Sequence, residues 1–90
     1  MKAFELLSDE SKWCKQVVAR TIGGILCDWN SPEAVRWCAM GAVLKCYSMT
    51  DEMRPTMIKL WKGLKGESIA VWNDASNFQT VHNKLKELDI

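Results

Sequence analysis

Ninety residues make a single domain, residues 1–90, able to bury only about two-thirds of its unfolded surface. The 48% apolar fraction and five Trp supply the dense core that this size needs. A net charge of +1 with 26% charged residues excludes a strongly basic nucleic-acid binder and an acidic solvating tail, so nucleic acid is not an expected partner.

Lys2 to about Ser11 reads as a first helix with Phe4, Leu6 and Leu7 as its apolar positions. Glu5, Asp9 and Glu10 follow too closely on that patch for a secretory signal. No apolar run approaches the ~20 residues of a membrane span. The expected location is therefore the cytosol, away from membranes. Next, Val17-Val18 and Ile25-Leu26 flank Gly23-Gly24, which signals a short two-stranded ribbon. Trp13, Cys14, Val17, Val18 and Ile22 also fit a helical spacing, so a helix continued to Arg20 is the alternative. Asp28-Trp29-Asn30 form a loop into Ser31-Pro32-Glu33, where a capping Ser, a first-turn Pro and an acid open a helix.

From Trp37 to Tyr47 the only charge is Lys45, and apolar side chains fall on every face of a helix drawn through 31–47. Such a helix is buried, and the rest of the chain should wrap it. Gly41 within it marks the close approach of another backbone. A further helix begins near Asp51 or at Pro55, with Met57, Leu60, Trp61 and Leu64 inward and Lys59, Lys62 and Lys65 outward. Gly66 stops it. Ile69–Trp72 reads as a short extended run, and 73–77 as a turn or capping cluster. The last helix starts near Phe78–Thr80 and places Val81, Leu85 and Leu88 on the core. The expected fold is mainly α: a compact helical domain around a central buried helix, with one short β-hairpin on the ribbon reading.

Cys14, Cys27, Cys38 and Cys46 are most simply reduced, buried hydrophobes. A thiol enzyme would use Cys38 as nucleophile, His82 as base and Asn73 or Asp74 to orient the imidazole. Against it, Cys38 falls in mid-helix on the 31–47 reading, where the dipole does little for a thiol. A zinc module from Cys14, Cys27, Cys38 and His82 lacks the close cysteine pairs of structural zinc sites. No metal and no cofactor are expected. Trp72-Asn73-Asp74 reads first as helix-start capping with a Trp plug, and second as a ligand contact. The lysines of the last two helices, interspersed with Glu67, Glu87 and Asp89, read as a solvated face. Trp29 and Trp61 are the aromatics least committed to the core and fit a protein-binding hot spot. Trp29, Trp61, Trp72, Asn73 and Asp74 are thus the candidate binding residues. The expected function is a non-enzymatic protein-interaction module with a protein partner; a homo-oligomer stays open.

Taken in order, Lys12-Trp13-Cys14-Lys15-Gln16, Ala19-Arg20-Thr21-Ile22-Gly23-Gly24, the central Ala34 to Ala42 stretch with Arg36-Trp37-Cys38, and Trp72-Asn73-Asp74 with Thr80-Val81 resemble a family of small uncharacterised proteins from bacteria and their phages, a domain of unknown function. The similarity runs over nearly the whole chain. Thr21-Ile22 stand in the hairpin turn where that family often carries an acid. The resemblance implies a shared fold and a phage or mobile-element setting, in which the target to be bound and blocked is a host or defence protein. It implies no activity.

Overall fold

Segment 31–47 is not one helix. In the computed structural model, which describes residues 1–90, Ser31 closes a single turn: its hydroxyl accepts from Glu33 N–H (3.2 Å) and its carbonyl from Ala34 N–H (3.1 Å). The chain then extends through Arg36–Trp37, and the helix runs only over Ala39–Tyr47. The cap signals at Ser31 are real, but Arg36–Trp37 find strand partners elsewhere in the chain, and that pairing overrides local helix preference.

The elements in chain order are α1 (Ala3–Leu6), a 3₁₀ turn (Glu10–Lys12), β1 (Ala19–Arg20), β2 (Leu26–Cys27), β3 (Arg36–Trp37), α2 (Ala39–Tyr47), α3 (Met53–Gly63), α4 (Ile69–Ala75) and α5 (Phe78–Glu87). The fold is mainly helical with a small antiparallel sheet, so it is mixed rather than purely α. The hairpin reading of 17–26 holds, and the helix to Arg20 does not form. Gly24 N–H donates to Thr21 C=O and Thr21 N–H to Ile25 C=O, both at 2.9 Å. Gly24 sits at φ +83°, the left-handed position that closes a three-residue loop.

The sheet order is β2-β1-β3. Register pairs Ala19 with Cys27 and Trp37, and Arg20 with Leu26 and Arg36. Residues directly opposite share a face. One row, Cys27-Ala19-Trp37, therefore turns inward, where Ala19 and Trp37 are buried. The other, Leu26-Arg20-Arg36, turns outward.

Against the inner row lies α2, which packs on α1, α3 and α4. Ala39, Gly41, Ala42, Val43 and Tyr47 are buried, but Lys45 is exposed and residues 32, 33, 35 and 36 are open to solvent. Full burial in this segment is thus confined to 37–39, 41–43 and Tyr47. Gly41 does mark a close approach: an added Cβ would lie 2.0 Å from the Val18 carbonyl oxygen.

Two further boundaries differ from the sequence reading. The first helix is one turn long and ends at Leu6, before the polar run from Ser8. Residues 69–75 are helical, not extended, because Ser68 caps them by accepting from Val71 N–H (3.3 Å). Pro55 falls in the first turn of α3, where its missing N–H has no helical partner to lose. On that helix Leu60 and Leu64 are buried, whereas Trp61 is 51% exposed and packs on Gly66. The last helix starts at Phe78 as expected, capped by Asn77, and buries Val81 and Leu85 with Leu88 packed at the edge. No helix is long and apolar enough to cross a membrane.

Candidate functional site

The start of α2 is a junction of three segments. Cys38 is its N-cap, with Sγ accepting from Gly41 N–H at 3.3 Å. Asn73, fully buried on α4, reaches across to it. Its Oδ1 accepts from Ala39 N–H (2.9 Å) and from the Trp13 indole N–H (2.8 Å), and its Nδ2 donates to Cys14 C=O (3.1 Å). Asp74 Oδ1 accepts from Gln16 N–H at 2.8 Å, holding Gln16 in a left-handed conformation at φ +74°. The capping reading of Trp72-Asn73-Asp74 is therefore right in kind, but the helix start served by Asn73 is that of α2.

Cys38 is at a helix start, not in mid-helix as the sequence reading had it. Even so it is 7% exposed, and burial, with the Asp74 charge adding to it, pushes its thiol up. Cys14 is pushed up to about 11, again chiefly by burial. His82 is elsewhere: its ring stacks on Phe78 (5.4 Å between centroids) and meets Phe4 edge-on (6.2 Å). The cavity beside Cys38, about 110 Å³, is lined by Gln16, Val18, Met40, Asn73 and Asp74 among others, and not by His82. The four cysteines are unpaired, and no three Cys, His, Asp or Glu side chains converge as metal ligands. The trio Cys38, His82 and Asn73 is thus not brought together.

The five sequence-derived binding candidates are dispersed. Trp72 and Asn73 are buried, Asp74 is exposed, and Trp29 is half-buried with its carbonyl accepting from the Trp37 indole (3.0 Å). Trp61 lies on α3 beside the exposed Ile58. A different surface stands out. The uncharged run Thr21–Cys27 carries Ile22 at 90% exposure and Ile25 and Leu26 at 69% each. Val35 is also exposed, and its backbone N–H donates to Arg20 C=O on the neighbouring strand (2.9 Å). The sequence signal was available: apolar residues on both sides of a Gly-Gly turn occupy the part of a hairpin that most often faces water.

A family model matches residues 1–87. The chain belongs to that family, DUF6197, a family of unknown function. No curated protein and no solved structure matches it. Membership agrees with the resemblance seen in the sequence and attaches no activity to the hairpin or to the Asn73 junction.

Proposed function

We propose that this protein is a non-enzymatic interaction module that docks a protein partner on its hairpin, residues 21–27, and the adjoining outer face of the sheet. One observation carries this reading: Ile22, Ile25 and Leu26 are large, apolar and exposed on a single short hairpin. Large apolar side chains gathered on one exposed hairpin of a small domain mark an interaction site. The buried thiols and the separation of Cys38 from His82 support a binding role over thiol chemistry. Four unpaired cysteines suit a reducing compartment such as the cytosol. A host or defence protein as the target, bound and blocked in a phage or mobile-element setting, is part of the proposal and rests on the resemblance alone.

The test is the triple variant Ile22→Ser, Ile25→Ser, Leu26→Ser. These side chains lie outside the core, so the melting temperature stays within a few degrees of the parent's. Tagged parent protein retains a partner from host lysate under moderate salt, and the variant loses it. Equal retention by the two proteins removes the hairpin from the interaction.

A further inference from the structure

The outer row of the sheet sets two arginines directly opposite each other. Arg20 and Arg36 are register partners on β1 and β3, and both line one open cleft of about 420 Å³ together with Lys15, Trp13 and Glu10. Like charges facing across an antiparallel pair destabilise it, and no salt bridge offsets this pair. The ion pairs are Lys2–Asp89 and Lys84–Glu87, far from this row in the chain, and Glu10 pairs with neither arginine. Arg20 is held in place, donating to Gly24 C=O (2.8 Å) and to Lys15 C=O (3.3 Å). The Lys15 ammonium lies 5.4 Å from the Trp13 ring centroid. The Arg36 side chain is exposed and donates to no protein acceptor, so only its backbone is tied to β1. Two guanidiniums, one pre-positioned and one free to swing, are therefore presented beside a third cation, three positive charges against the single unpaired carboxylate of Glu10.

We propose that Lys15, Arg20 and Arg36 form a carboxylate-binding site that receives an acidic segment of the protein partner. Planar guanidiniums match carboxylates through paired N–H donors. In the same row, Leu26 lies on the other side of Arg20, so the face asks for a segment in which acids stand beside apolar residues. This rests on the protein-docking reading of the hairpin and specifies the chemistry of what docks there.

The free protein carries the cost of the facing arginines, so Arg36→Gln raises its melting temperature by about 2–4 °C. If Arg36→Gln lowers it, Arg36 is a structural residue and the proposal fails. Binding is read by titrating the ¹⁵N-labelled full chain with hexaglutamate at constant ionic strength, following the Arg20 and Arg36 Nε–H signals and the Trp13 indole N–H. Hexaglutamate shifts them saturably, and Arg36→Gln weakens it about tenfold or more. Inorganic phosphate and an eight-nucleotide oligothymidylate are the comparison arms, and both bind at least tenfold more weakly. Phosphate binding as tight as the peptide's makes this a small-anion site, tighter oligothymidylate makes it a nucleic-acid face, and no saturable shift leaves no site; each overturns the proposal. If lysate capture depends on the hairpin apolar residues yet hexaglutamate does not bind, only the acidic chemistry is lost. If hexaglutamate binds but capture ignores the hairpin, the docking reading is what fails.

Discussion

Asn73→Ala is the substitution that most directly probes how this small fold is held together. The side chain satisfies three buried groups on two other segments: the Trp13 indole N–H, the Ala39 N–H and the Cys14 C=O. Leaving a buried polar group without a partner costs about 1–3 kcal/mol. A water entering the vacated space recovers some of that, so the net loss is about 3–5 kcal/mol. A domain of this size has a total stability of roughly 5–15 kcal/mol. The variant therefore loses a large share of its stability, and at the lower end of that range it sits near its unfolding midpoint.

Asn73→Asp refines the measurement because it keeps the shape. One oxygen still accepts from Trp13 and Ala39, but the other faces the Cys14 carbonyl and the Asp74 carboxylate, which Nδ2 now meets at 3.1 and 3.4 Å. Burial and acceptor contacts raise the folded-state pKa of the new carboxyl above its unfolded value of about 3.9. A group raised in this way is best tolerated while protonated, and its penalty grows as pH climbs past the unfolded value toward the folded one. Asn73→Asp therefore lags the parent more at pH 7 than at pH 4. Urea unfolding followed by Trp fluorescence at the two pH values gives both numbers. Asn73→Ala and Asn73→Asp both within about 1 kcal/mol of the parent at pH 7 would refute the junction as a main support.

Gly41→Ala drives a methyl to 2.0 Å from the Val18 carbonyl oxygen, a backbone atom that also accepts from Cys38 N–H, and costs about 3 kcal/mol or more. Gly63→Ala is the control: its methyl meets a Leu88 methyl at 2.6 Å, a movable group, and α3 gains helix propensity, so its loss is under about 1 kcal/mol. Equal losses in urea melts contradict the rigid contact at Val18. Native-state alkylation by iodoacetamide, mapped by mass spectrometry, modifies half-buried Cys27 first and buried Cys14 and Cys38 last; Cys38 labelled first reopens thiol chemistry. The Lys2–Asp89 pair (2.6 Å) holds the Asp89 carboxyl below its ordinary value. Its stabilisation is present above the unfolded pKa of about 3.9 and lost as pH falls through the lower folded value. Both partners are solvent-exposed, so Asp89→Asn lowers the melting temperature only slightly at pH 6 and not at all at pH 2; an effect persisting at pH 2 refutes the assignment.

Signals that depend on one turn of chain were readable. Gly23-Gly24 marked a real hairpin, Gly41 a real backbone contact, and Asn77 with Phe78 a real helix start. The failures share one cause. Whether Arg36–Trp37 continue a helix or extend is decided by β1, whose register partners Arg20 and Ala19 lie sixteen and eighteen residues earlier, and no local pattern reports that. The same long-range pairing moved the helix start to Ala39 and so turned Cys38 from an interior residue into a cap. Trp61 fits the inner stripe of α3 by spacing, but the one-sided burial of Thr56, Leu60 and Leu64 leaves it on the rim. For Asn73 the chemistry was legible and the recipient was not, because Ala39 is brought to it only by the packing of α2 on α4.

The strands of the sheet are two residues each, too short for ladder hydrogen bonds alone to fix them. What fixes them is the inner row, with Ala19 and Trp37 in the core, and the clasp that Cys14 N–H makes on Trp37 C=O (3.1 Å) beside the Asn73 junction. The exposed hairpin is thus carried on a braced platform. Its loop is further closed by the Thr21 backbone bonds, by Thr21 Oγ1 accepting from Ile25 N–H (3.3 Å), and by Arg20 on Gly24 C=O. A surface ordered before it meets a partner loses less conformational freedom on binding. On the docking reading the buried polar junction braces the exposed apolar tip, so in Asn73→Ala amide hydrogen exchange quickens at residues 21–27 more than in α2 and α5; equal quickening everywhere refutes the brace.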